Sequence, residues 1–141
     1  MLLIITTIPH IVSIYPLVNK INKPYIYEYI NIIILSAIYS ILFHIYEEKN
    51  IIINDIDYFL AGMWFFYDCI LSFIYTDNNI QLKIILTNSI SFLINTQIDN
   101  NNYIIEHSLW HIINFTKCYY VSQKLSSSIY DIRLNELENK I

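Results

Sequence analysis

Apolar residues run along this chain in five blocks, each closed by a short polar stretch. The blocks fall at about 2–19, 26–46, 57–76, 80–97 and 103–122, each near the roughly 20 residues that carry a helix across a bilayer. The pattern predicts an all-α fold, a polytopic membrane helix bundle of about five transmembrane helices. The first block opens MLLIITTIPH, with neither a basic leader nor a small-residue cleavage site, so it reads as a retained helix. Pro9 and Pro16 should kink it, because proline removes a backbone donor and clashes with the preceding turn. The third block, DYFLAGMWFFYDCILSFIY, is the most continuous, and the fourth, IQLKIILTNSISFLINT, is short and polar. A water-soluble bundle would need polar outer faces, which the second and third blocks lack. No repeat or long linker interrupts the chain, so residues 1–141 form one membrane-embedded domain. Residues 123–141 read as a short cytoplasmic tail, with Ile129, Ile132, Leu134 and Leu137 loosely at helical spacing.

Composition supports the membrane setting. Hydrophobic residues make up 55% of the chain and charged ones 14%, with a single glycine, unlike an average soluble domain. Ile, Asn, Lys and Tyr are enriched together, as in products of AT-rich genomes, so single Ile and Asn choices carry little information. The formal net charge of −4 and the absence of a basic patch point away from nucleic acid. Cys69 and Cys118 lie in oily segments without a CxxC partner, which indicates buried thiols and no disulfide framework.

The distribution of charge sets an orientation. Let A be the face holding the N-terminus and B the other. Lys20 and Lys23 lie in the first connection on B; Lys83 and Lys117 are close enough to helix ends to snorkel there; Lys124, Arg133 and Lys140 follow the fifth helix. Only Lys49, beside the acidic residues Glu47, Glu48 and Asp55, belongs to A. Basic residues accumulate on the cytoplasmic side, so the N-terminus is expected to be lumenal or exoplasmic and the C-terminus cytoplasmic.

Candidate chemistry gathers on face A. The second block ends SILFH and the fifth begins with HSLWH, so Ser40 and His44 share one helical face, as do His107 and His111. Helix parity brings Ser40, His44, Asp57, His107 and His111 to the same end of the bundle, with Asp57 near the rim. Three imidazoles with a fourth position left open make the ligand set of a catalytic zinc. A single helical histidine is more often a hydrogen-bonded packing residue, and His10, near face A on the first helix, is read as a helix-packing or interfacial residue. Intramembrane ionisable groups, however, are costly without a role. Asp68 is expected to face the bundle and bond a neighbouring Ser or Tyr. Glu106 projects about 100° away from His107 on a helix and makes a poor ligand.

Ser-x-x-Phe-His at the end of an early membrane helix, an Asp opening the next, and His-x-x-x-His with Trp110 before its last His together resemble the CREST superfamily. That group includes the alkaline ceramidases, the progestin and adipoQ receptors, and the myomaker and GPI-lipid-remodelling proteins. The resemblance covers roughly residues 36–64 and 103–122. It implies zinc held by His44, His107 and His111, with Ser40 and Asp57 as the catalytic polar pair, and hydrolysis of a membrane lipid amide or ester as the activity. Asp55 is the rival for the Asp57 position. The family has seven membrane helices, three of them between the Asp helix and the His-x-x-x-His helix, where this chain has room for about one. A reduced version of the family is therefore expected, in which a homo-oligomer could supply missing cavity walls. The alternative is a non-enzymatic membrane protein that keeps the family core as a scaffold for membrane remodelling, fusion or assembly.

Overall fold

The computed structural model describes residues 2–46, 49–96 and 102–138. Glu47, Glu48 and Lys140 lie outside the described residues, as do the side chains of Ile132, Arg133, Leu134 and Leu137. The fold is an all-α bundle with no strand among the described residues. Its five helices are α1 (Leu2–Lys20), α2 (Ile26–Ile45), α3 (Ile51–Tyr75), α4 (Asn78–Thr96) and α5 (Tyr103–Glu138).

Local chemistry explains where each helix begins and breaks. The two prolines divide α1 into α-helical turns over Leu2–Thr7 and Pro9–Val12 and a 3-10 stretch over Tyr15–Lys20, as the sequence predicts. Pro24 disfavours helical backbone at the residue before it, and Tyr25 then turns the chain with a positive φ of 64° into α2. Asn50 caps α3: its side chain accepts hydrogen bonds from the backbone N–H groups of Ile52 and Ile53 at 3.1 and 3.2 Å. This cap moves the start of α3 to Ile51, six residues before the expected boundary. Asp57 consequently sits inside the second turn rather than at the opening.

The helices α1, α2 and α3 are long and apolar enough to cross a membrane, which marks the chain as an integral membrane protein. Helices α4 and α5 owe their lower hydropathy to polar residues that point inward. On α4, Leu82, Leu86, Ile90 and Leu93 are exposed while Asn88 and Ser91 are buried. On α5, Ile105, Leu109 and Ile112 are exposed while Ser108, His111, Asn114, Lys117 and Ser122 are buried. An apolar exterior over a polar interior inverts the pattern of a soluble domain and suits lipid as the surrounding solvent.

Cross-helix bonds fix the directions. Asn88 meets Lys117 and Ser91 meets Asn114, so α4 and α5 run antiparallel; Thr7 meets His111 and Ser13 meets Cys118, so α1 and α5 run parallel. The short polar block at 80–97 is thus a full return helix, and parity is kept. Helix α5 passes residue 122 unbroken, burying Leu125 and Ile129 in the same core cluster as Leu17 of the α1 3-10 turn.

Candidate metal centre

At the A end of the bundle, α2 delivers His44 in its last turn and α5 delivers His107 and His111 in its first turns. The i, i+4 spacing stacks the two α5 imidazoles on the face turned towards α2. One nitrogen from each of the three rings lies within 4.8 Å of the others. His44 Nε2 and His111 Nε2 are 3.2 Å apart. Ligands bonded at 2.0–2.1 Å around a tetrahedral zinc are separated by about 3.3–3.4 Å, so this edge is near its bound length and only the third nitrogen must close in. The ring centroids lie 5.2 Å apart for His44 and His107, 5.4 Å for His44 and His111, and 4.7 Å for His107 and His111, with near-perpendicular planes in each pair. His107 Nδ1 is buried without a hydrogen-bond partner, a cost expected to be removed by a ligand. The three histidines can hold a metal ion.

The surroundings position these rings. Tyr103 stacks on His107 at 5.0 Å, and Thr7 Oγ1 lies 3.3 Å from His111 Nε2. Trp110 donates from Nε1 to the Ser91 carbonyl at 3.1 Å, locking α5 against α4. His10 turns out to be a neighbour of the centre: it is buried, its ring meets His111 edge-on at 5.6 Å, and its Nδ1 donates to the Thr7 carbonyl at 2.8 Å. A packing role for His10 fits this geometry, while its nearness to His111 was not apparent from spacing.

A cavity of about 580 Å³ descends from the centre and takes lining from all five helices. Ser40, Asp57, His107 and His111 all line it. Asp57 is half-buried and lines the cavity, whereas Asp55 is exposed and absent from the lining. Ser40 is buried one turn below His44.

At the far end of the cavity the structure corrects the sequence reading. Lys117 does not snorkel to face B. It is 7% exposed, donates to Asn88 Oδ1 at 2.8 Å, lies 3.3 Å from Asp68 Oδ2 and sits over the Trp64 ring at 5.0 Å. Asp68 bonds a tyrosine as expected, accepting from Tyr29 OH at 2.5 Å. The physical reason is helix length: Lys117 was placed near a helix end, but α5 stays packed as far as Ile129, so Lys117 lies mid-bundle. Lys117 therefore drops out of the basic residues expected towards face B.

No protein-family model, curated protein or solved structure matches this chain.

Proposed function

We propose that this protein is a zinc-dependent intramembrane hydrolase of lipid amide or ester bonds, a reduced member of the CREST superfamily. The observation that carries the reading is the meeting of three imidazoles, from helices far apart in sequence, at the head of a lipid-sized cavity that also presents Ser40 and Asp57. Zinc bound by His44, His107 and His111 would supply Lewis acidity, polarising a carbonyl and lowering the pKa of water to about 7. Asp57 would accept the proton of the attacking water, and the Ser40 hydroxyl would donate to the oxyanion that develops on the carbonyl. Trp64, Phe65 and Trp110 wall the cavity and exclude bulk water. Exposed Phe66 and Phe92, on α3 and α4, also line it, which supports access from the bilayer.

The test is hydrolysis of a fluorescent ceramide-type amide and a phospholipid ester by protein in nanodiscs. Asp57→Asn and Ser40→Ala should each lower the rate by about a hundredfold or more with zinc content unchanged. If both variants retain activity in the cell while the histidines remain essential for folding, the metal is structural and the scaffold reading takes over.

The basic residues other than Lys117 and Lys49 favour a lumenal or exoplasmic position for face A, and with it the cavity mouth. With Cys69 and Cys118 replaced, Asn102→Cys should react with an impermeant reagent from outside and Ser127→Cys should not. Labelling of both from one side would break the parity on which the centre depends.

A further inference from the structure

The cavity has a second polar end. Lys117 lies ten residues beyond His107 on one unbroken helix, about 15 Å further in, and Asn114 about 10 Å further in; both line the cavity and both are more than nine-tenths buried. Asn114 Oδ1 accepts from Ser91 Oγ at 2.6 Å, so the amide NH2 is the group Asn114 can offer to the cavity. An apolar chain lying there would strip water from buried donors and return nothing, which is the costly case. The apolar way out is at the same depth: Phe66 is two residues from Asp68, and Phe92 adjoins Ser91, the residue bonded to Asn114.

We infer that this floor selects the substrate: the lipid cleaved at the histidines carries, about 7–12 Å along its chain from the scissile carbonyl, a neutral oxygen such as a hydroxyl that accepts a hydrogen bond from Asn114 and Lys117. This rests on the hydrolase reading for the position of the carbonyl. A neutral oxygen fits better than an anion because Asp68 already balances the Lys117 charge at 3.3 Å, and a second anion would be repelled by that carboxylate. The chain beyond the oxygen leaves sideways between Phe66 and Phe92. Sites built to hydrogen-bond a substrate hydroxyl discriminate strongly against analogues that lack it, so Asn114 and Lys117 are specificity-determining residues.

Both tryptophans of the chain, Trp64 and Trp110, line the cavity, so their emission reports its occupancy without turnover. In nanodiscs, octadecanamide bearing a mid-chain hydroxyl should bind about tenfold more tightly than octadecanamide itself, as one added hydrogen bond implies. Asn114→Ala should bring the two affinities together, and so should the charge-neutral pair Asp68→Asn/Lys117→Met, which guards against loss of fold in either variant. Equal affinities in the unsubstituted protein, or a preference undiminished in both variants, overturns the inference. A preference that persists without any hydrolysis upholds the floor and sinks the hydrolase reading alone; hydrolysis without a preference does the reverse.

Discussion

Two polar clusters sit inside this apolar bundle, and they are built on opposite principles. Around Lys117 and Asp68 each charge meets its complement: the ammonium has a carboxylate, an amide oxygen and a ring face, and the carboxylate has a phenol. The histidine cluster gathers like with like, three imidazoles whose nitrogens face one another, one of its buried nitrogens without a partner. The charges of the paired cluster neutralise one another, although Asp68 Oδ2 and Trp64 Nε1 lack hydrogen bonds, whereas the histidine cluster gathers nitrogen lone pairs that a cation can join. Burial alone therefore does not identify a metal centre in a membrane bundle; what identifies it is whether the buried groups neutralise one another.

The largest consequence is at the paired cluster. Lys117→Met leaves the Asp68 carboxylate buried beside a thioether and should cost about 3–5 kcal/mol of stability, measured by denaturation in detergent. The double variant with Asp68→Asn should recover most of that loss, since no charge is then stranded. Recovery of nothing would mean that Lys117 contributes by packing and that the contrast between the clusters is overdrawn. At the histidine cluster the corresponding effect depends on metal: zinc at a hundredfold over its dissociation constant should add about 2.7 kcal/mol. A chelator should remove that gain from the unsubstituted protein and change nothing in His111→Ala. An equal response in the two would show that zinc acts elsewhere.

Much of this organisation is written in the chain. The five apolar blocks, the proline breaks in α1 and the shared depth of Ser40, His44, His107 and His111 all follow from periodicity and helix parity, which are local properties. Asp57 lines the cavity from within the second turn and not from the helix opening, because the Asn50 cap starts α3 earlier than the hydropathy of IIINDI suggests. Lys117 was misplaced because a hydropathy window ends at residue 122, whereas the helix remains packed on α1 to Ile129. The contact of His10 with His111 is not legible in the sequence because the rotation of α1 against α5 depends on packing, and no spacing within one helix encodes it. The weak hydropathy of α4 and α5 is the same lesson: an average over a helix hides a polar inner stripe beneath an apolar outer one.

Smaller effects sharpen the comparison. Tyr103→Ala removes the ring stacked on His107 and should weaken zinc binding by up to about tenfold, seen by competition with a chromophoric chelator, while leaving the Lys117 cluster and stability without metal nearly unchanged. Asn50→Ala lies apart from both clusters and should cost about 1 kcal/mol through loss of the α3 cap. A much larger loss there would indicate that Asp57 depends on the cap for its position, and zinc content would tell whether the centre moves with it.

The central claim is that α2 and α5 bring three imidazoles to one metal. X-ray absorption at the zinc edge on protein purified under zinc-replete conditions in nanodiscs addresses it most directly. The account predicts about one zinc per chain with three imidazole nitrogens at about 2.0–2.1 Å and a lighter fourth ligand, all lost on substitution of His44, His107 and His111 by alanine. Protein that carries no zinc in its lipid environment, or zinc that persists in the triple variant, would contradict it.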